Sequence, residues 1–401
     1  DRDLWFPNGS GAPTGVIVRI SGNDGRIHAS ERFGLRRLRF EQTVNAPEGA
    51  LPWLAVINGR RTFLAGVNWV PPRADASQID DAMTSRLLDL YASIGFNLVR
   101  VWGGANRPPR SFYRKCDERG LLVWQDLPLS SSGLDNMPSS SASFVKALGS
   151  IAKKWAADLC RHPCLALWCG GNELSLIDED GGPGTPLDFD HPVLRAIRDG
   201  IRQVDPNAHI VPTSPSGPTY IADPERFGFG EHHDVHGPWT APVNARSWAS
   251  YWRSDDALFR SEVGVAGASS LDILLETGVV RNVDDGLVAD LDAFRHASAW
   301  WLDGVEEEIA CHGVETWITT SRQRQADHLA LAMRQSLKRF PGCGGFVAWL
   351  GHDTFPCPVS LSIVDFHGRP KPAARAIAEV LAQWRDRSDF DHEDATISSP
   401  A

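Results

Sequence analysis

Leu165-Ala166-Leu167-Trp168-Cys169-Gly170-Gly171-Asn172-Glu173 is the stretch on which the fold turns: an apolar run breaks at two glycines and then delivers an amide and a carboxylate. Four apolar residues in succession predict a strand buried on both faces, as in a parallel sheet. Asn172 and Glu173 then stand at the strand's C-terminal end. In a parallel α/β barrel this is the end where functional groups collect, because the loops there vary freely while the strands hold them in place. A second carboxylate has a similar setting, Glu262 in Leu258-Phe259-Arg260-Ser261-Glu262-Val263-Gly264.

Working outward, the pattern from Val56 onward alternates apolar strands with amphipathic helices, the signature of β/α units around a parallel sheet. Candidate strands cover residues 62–70, 97–102, 121–124, 165–169, 210–213, 231–239, 258–265 and 345–350. The fifth is weakened by Pro212. Ser77 can cap a helix that places Met83, Leu87, Leu90 and Ile94 on one face. A second helix repeats Phe144, Leu148, Ile151, Trp155 and Leu159, and a last one aligns Ile377, Val380, Leu381 and Trp384. The expected class is α/β, a (β/α)8 TIM barrel over residues 46–388, with its longest insertion of about 80 residues between strands seven and eight. Residues 1–45 read as some three β-strands, with hairpin chemistry at Asn23-Asp24-Gly25, too few to bury a core alone. The opening Asp1 to Gly11 reads as the interior of a domain, and residues 389–401 as a polar tail.

The chain has 401 residues, 42% of them hydrophobic, enough for one large domain and a small one. No apolar run approaches the roughly 20 residues of a membrane-spanning helix. A formal charge of −10 gives no electrostatic reason to expect nucleic acid or an anionic membrane as partner. The seven cysteines, an odd count in mostly apolar surroundings, read as buried reduced thiols and lean towards a cytoplasmic location. Cys160-Arg161-His162-Pro163-Cys164 has no second ligand pair with zinc-site spacing. Fifteen Trp against four Tyr suits a cleft where rings stack on sugar faces, although core packing could absorb most of them.

Two strand-end glutamates from opposite sides of a barrel mouth fit one chemistry well. Cleaving a glycosidic bond with retention needs two carboxyl groups about 5–5.5 Å apart, one to attack the anomeric carbon and one to protonate the leaving oxygen. Arg100, at the end of strand two, is placed to keep Glu262 ionised. Trp168 and Trp102 can exclude water around Glu173. Taken singly, a strand-end glutamate is more often a solvated loop residue or a helix-cap partner. His232, Asp234 and His236 alternate on one strand face and invite a zinc reading, but no second His cluster accompanies them. The expectation is no metal and no cofactor, with His236 hydrogen-bonded to the nucleophile or the substrate, against a purely structural histidine. Of the strand-end tryptophans Trp102, Trp124, Trp239 and Trp349, the second is assigned to the core, Trp102 and Trp349 to the cleft.

Several segments in matching order, Gly66-Val67-Asn68-Trp69-Val70-Pro71, Arg100-Val101-Trp102-Gly103-Gly104, residues 112–120 followed by Val123-Trp124-Gln125-Asp126, Asn172-Glu173 and Ser261-Glu262-Val263-Gly264, together resemble glycoside hydrolase family 2, nearest its β-mannosidase branch. The likeness extends to Leu4-Trp5-Phe6-Pro7-Asn8-Gly9, similar to late strands of that family's immunoglobulin-like β-sandwich domain, and to Asp365-Phe366-His367-Gly368-Arg369-Pro370 after the last barrel strand. It implies a retaining exo-acting β-glycosidase with Glu173 as acid/base and Glu262 as nucleophile. Asn172 would contact the sugar 2-hydroxyl, and Trp349 would floor the subsite. The family's jelly roll and early sandwich strands have no counterpart here, so a preceding segment or a partner chain would supply them. Gly171 stands where the β-mannosidase pattern has a second Asn, and Ala105-Asn106-Arg107-Pro108-Pro109 where it has Tyr-Glu. β-Galactoside, β-glucuronide and β-glucosaminide therefore stay open beside β-mannoside, as does a non-catalytic carbohydrate-binding subunit.

Overall fold

The computed structural model describes residues 3–131, 136–178, 183–240, 245–284, 286–290, 292 and 305–386. Eight strands form one wholly parallel sheet: β1 Leu64–Trp69, β2 Leu98–Val101, β3 Leu122–Asp126, β4 Leu165–Cys169, β5 Ile210–Val211, β6 Asp234–His236, β7 Phe259–Val263 and β8 Gly345–Ala348. Their spatial order is β5-β4-β3-β2-β1-β8-β7-β6. This is the cyclic order of a (β/α)8 barrel, with first and last strands side by side. Between β5 and β6 there is no ladder, only isolated bridges made by the intervening chain, Gly217 to Asp234 and Ile221 to His236. Helices α1 Asp81–Ile94, α2 Arg110–Arg119, α3 Ala142–Leu159, α4 Pro192–Arg202, α5 Ala245–Ser254, α6 Leu271–Glu276, α7 Val305–His312, α8 Val314–Lys338 and α9 Pro372–Asp386 follow the strands in chain order.

The continuous apolar runs explain the arrangement, since every residue of the eight strands is buried, as strands sheathed on both faces require. Trp53, Trp124 and Phe259 meet inside, with ring centroids 4.9–5.7 Å apart, so Trp124 lies in the core as its setting predicts. Several boundaries differ from the sequence expectation. Ser77 belongs to a short 3-10 turn, and α1 is capped instead by Asp80, whose carboxylate accepts from the Met83 amide. Thr62 pairs with Ala55 in a separate sheet, so β1 starts at Leu64. Pro212, which has no N–H to donate, follows a β5 of only two residues. The sixth strand shrinks to three residues: its flanks still reach β7, the His233 carbonyl accepting from Phe259 N–H at 2.8 Å, but its other edge meets loop residues and not a strand.

Ahead of the barrel, strands at Leu38–Glu41, Leu54–Ile57 and Arg60–Thr62 make a three-stranded antiparallel sheet that straddles residue 45. A two-stranded ribbon, Val16–Ser21 with Ile27–Phe33, precedes it with every strand residue exposed except the half-buried Phe33. Among the described residues no second sheet packs on this ribbon, so an immunoglobulin-like sandwich is not formed by them. The tail at 389–401 lies outside the described residues.

Candidate active site

The C-terminal ends of β1, β2, β3, β4, β6 and β7 converge on one guanidinium. Arg100, fully buried on β2, donates from Nη1 to Glu262 Oε1 at 3.0 Å and to Asn68 Oδ1 at 3.2 Å. From Nη2 it donates to Asp126 Oδ2 at 2.9 Å and Asn172 Oδ1 at 2.7 Å. Its carbon sits 5.3 Å from the Trp124 ring centroid, a cation–π contact. Burial works against the charge on Arg100, but Asp126 and Glu262 outweigh it and raise the guanidinium further, so it stays a permanent cation. The placement of Arg100 beside Glu262 is thus as the sequence suggests, while Asn68 and Asp126 are additional ligands of the same group.

Glu173 reaches the same point by a different route. After β4 the chain needs two side-chain-free positions: a Cβ at Gly170 would meet the Pro212 carbonyl at 2.2 Å, and one at Gly171 the Leu129 carbonyl at 2.8 Å. This crowding accounts for the glycine at 171. Asn172 bridges to Ser130 and Ser214 on either side. Glu173 then adopts φ +56°, the left-handed region that a non-glycine residue rarely occupies and that marks functional strain. Its amide donates to the Ser214 carbonyl at 2.7 Å, and Leu174 N–H donates to Thr213 Oγ1 at 3.0 Å, which holds the turn.

One oxygen of Glu173, one of Glu262 and a nitrogen of His236 all lie within 4.8 Å of one another. His236 Nδ1 is 2.9 Å from Glu173 Oε1 and 3.5 Å from Glu262 Oε2. Ser131 Oγ donates to Glu173 Oε2 at 2.8 Å, and the Tyr220 hydroxyl also hydrogen-bonds this carboxyl. Burial raises Glu173, and donors on its carboxyl, His236 when its Nδ1 carries the proton, Tyr220 and Ser131, hold it down to about 2. Glu262 is pushed well above the usual carboxylate range, first by burial and then by the charge on Glu173, with Arg100 opposing. The two carboxyls form one coupled pair, and where its proton rests depends on the groups around Glu173. Burial lowers His236 to about 4, so its imidazole is neutral at pH 7.

The aromatic walls are arranged as follows. Trp102 and Trp349, both half-buried, meet edge to face with centroids 5.5 Å apart. Trp239, also half-buried, stands edge-on to His236 at 6.2 Å. Trp168 is instead sealed in the core. Arg260 on β7 fixes the end of β6 by donating from Nη1 to the Gly237 carbonyl at 2.9 Å, ahead of Trp239. The alternating trio at and before β6 is already engaged elsewhere: His232 with Asp256 at 2.6 Å and the Asp223 amide at 3.2 Å, Asp234 with Ser216 and Ser261, His236 with the glutamates. Ser131, Ser214, Tyr220 and Asp126 were not singled out by the sequence reading as site residues. Only Asp126 carried a signal, as the polar end of a strand.

No protein-family model matches the sequence. The chain is 26% identical over 430 residues to beta-mannosidase B of Emericella nidulans, across 99% of this chain and 48% of that protein. It is 27% identical to beta-mannosidase B of Aspergillus clavatus, across 94% and 46%. The chain thus spans about half the length of the curated relatives it matches. Among solved structures, the beta-D-mannosidase of Dictyoglomus thermophilum superposes with a TM-score of 0.74 at 22% identity, over 94% of this chain and 46% of that one. Beta-glucuronidase 3 of Bacteroides uniformis follows at 0.58 and 17%, over 94% and 44%. The chain therefore shares its α/β fold with these solved structures and is similar in sequence to about half of each beta-mannosidase B.

Proposed function

We propose that this chain carries the catalytic (β/α)8 barrel of a retaining exo-β-glycosidase of glycoside hydrolase family 2, acting on terminal β-mannosides. The observation that carries the reading is the convergence of Glu173 and Glu262 to within 4.8 Å from strands on opposite sides of the sheet. Retaining enzymes work with a separation of about 5–5.5 Å, inverting ones with a wider gap that admits a water. Glu262, anchored by Arg100, attacks the anomeric carbon, and Glu173 protonates the departing oxygen. Glu173 then withdraws a proton from the water that releases the sugar. Asn172, with Oδ1 held by Arg100 and one Nδ2 proton given to Ser130 Oγ at 3.3 Å, offers its second Nδ2 proton to the sugar 2-hydroxyl. Trp349 floors the pocket, with Trp102 and Trp239 as its walls. No cofactor enters these steps.

The resemblance to β-mannosidases supports mannose. Gly171 and residues 105–109 keep galactoside, glucuronide and glucosaminide as the sister readings. The exposed ribbon at 16–33 fits outlying strands of an immunoglobulin-like sandwich completed by another part of the full protein or by a partner chain. Seven cysteines without a disulfide suit a reducing, cytoplasmic compartment.

The test is covalent trapping. A panel of 2-deoxy-2-fluoro β-glycosides in manno, gluco and galacto configuration should leave one adduct, on Glu262, found by peptide mass spectrometry, with the manno compound reacting fastest. Glu173→Ala should lower kcat/KM on poor leaving groups by about 10²–10⁴, and Glu262→Ala should lower it on all aryl glycosides by several orders of magnitude. Near-wild-type rates in the Glu262 variant would remove the mechanism.

A further inference from the structure

Glu173 does not end at His236. His236 Nε2 lies 3.1 Å from Ser214 Oγ, and Ser214 Oγ donates to Ser261 Oγ at 2.9 Å. Ser261 Oγ in turn donates to Asp234 Oδ1. Every member from His236 inward is fully buried, so no bulk water interrupts the sequence. The other oxygen of Asp234 is occupied by the Ser216 amide at 3.1 Å and its hydroxyl at 3.2 Å. The groups facing Asp234 are Ser261 on β7, Ser214 and Ser216 after β5, the Arg100 guanidinium on β2 and the Cys169 thiol on β4. Those facing His236 are Glu173, Glu262, Arg100, Tyr220, Trp239 and Ser214.

A hydroxyl has one proton to give, so such a row has a direction. When Asp234 is ionised it can only accept. Ser261 must then donate to it and Ser214 to Ser261, so Ser214 has no proton left for His236 and accepts from Nε2–H instead. Neutral His236 therefore has a bare Nδ1, and a bare Nδ1 accepts from a protonated Glu173. The second Glu173 oxygen remains free to accept from Ser131 and Tyr220, which suits a neutral carboxyl with one donor and one acceptor. When Asp234 is protonated the whole row can reverse, His236 donates from Nδ1, and Glu173 is the ionised partner.

We propose that Asp234 is a positioning residue which, acting through Ser261, Ser214 and His236, sets whether Glu173 holds the proton it must deliver to the leaving group. Reversal moves one proton at each link: Glu173 to His236 Nδ1, His236 Nε2 to Ser214, Ser214 to Ser261, Ser261 to Asp234. Glu173 loses one proton, Asp234 gains one, and every relay keeps its count. The role rests on the glycosidase reading only in what the proton is used for. Burial raises Asp234 to about 6, against hydrogen bonds and Arg100 that lower it, so its ionisation falls within an ordinary working range. The two directions hold the same number of protons, so pH alone does not choose between them: the burial that raises Asp234 favours the reversed row, and Arg100 with the hydrogen bonds favours the forward one.

Asp234→Asn separates the two. The Ser216 amide demands an acceptor, so the new side-chain oxygen faces it and the NH2 group faces Ser261 as a donor, fixing the reversed direction at every pH. The full chain labelled with 15N-histidine, with His236 assigned through its loss in His236→Gln, should show wild-type His236 protonated at Nε2 at pH 7.5 and at Nδ1 in Asp234→Asn. Ser214→Ala takes away the acceptor of Nε2–H, so it should also shift the proton to Nδ1 if the first variant does not fold. A wild-type proton on Nδ1 at pH 7.5, or a tautomer unmoved by both changes, overturns the proposal. In turnover, kcat/KM of Asp234→Asn should fall about tenfold or more on phenyl β-mannoside and less than about threefold on the 2,4-dinitrophenyl glycoside, whose leaving group needs no proton. Equal losses on both would assign Asp234 to the scaffold alone. A wild-type chain that hydrolyses neither glycoside would defeat the glycosidase reading, and the tautomer would still judge the relay.

Discussion

Arg100 satisfies two buried carboxylates and two amides at once, and that sharing makes it costly to lose. Removing one partner from a buried ion pair leaves an uncompensated charge, at about 3–5 kcal/mol. Arg100→Met should therefore destabilise the chain by about that amount in urea unfolding at pH 7.5, because Asp126 and Glu262 stay behind in a dry site. The loss should shrink towards pH 4, where protons can replace the missing cation. An unchanged midpoint at pH 7.5 would mean that water enters and solvates the pair. The sequence announced Arg100, Glu173 and Glu262 because each stands at the end of an apolar run, where chain direction alone says which way the strand delivers it. It did not announce Ser131, Ser214 or Tyr220. Small polar residues are common in loops, and nothing in their neighbours marks one as facing a carboxyl brought from elsewhere in the fold. Asp234 was visible but was considered with His232 and His236 as a ligand trio, since alternation reveals a shared face and not the partners across it.

At the scale of elements, the turn after β4 is the piece of backbone on which the chemistry depends. Gly170 and Gly171 run close to Pro212 and Leu129, and two residues on, Glu173 adopts a left-handed conformation with its carboxyl at the sheet's mouth. Gly170→Ala should cost about 1–3 kcal/mol by overpacking. It should also lower kcat far more than that loss explains, since Glu173 would move with the turn; denaturant midpoints and kcat measured together check this. An alanine variant with wild-type kcat would show that the turn has slack. Length was the least legible property of the strands. β1, β3, β4 and β7 lie where continuous apolar runs place them, while β5 and β6 are two and three residues long. One edge of β6 meets loop residues, and period-two or apolar patterning carries no trace of such partners. The capping of α1 was missed for a similar reason: Ser77 and Asp80 both suit the position, and only the backbone bend between them decides.

For the molecule as a whole, the ribbon at 16–33 is the part that the described residues leave uncovered. Val16, Val18 and Ile20 face Phe33, Glu31 and Ala29 on one side of two strands, and such a bare apolar edge pairs readily with another chain. The isolated chain should therefore self-associate at tens of micromolar, read by sedimentation velocity. Val18→Lys with Ile20→Lys should return it to monomer without altering kcat/KM, as the ribbon is remote from the glutamates. Persistent association in the double variant would place the contact elsewhere. The break in the sheet between β5 and β6 has a different consequence. A cylinder laced on every side but one tolerates remodelling along the open side, because insertions there interrupt no ladder. The stretch from 212 to 233 is anchored at the site through Ser214, Ser216 and Tyr220, so changes between those anchors lie beside the reacting groups, and new sugar preferences are most readily drawn from them by selection or by design.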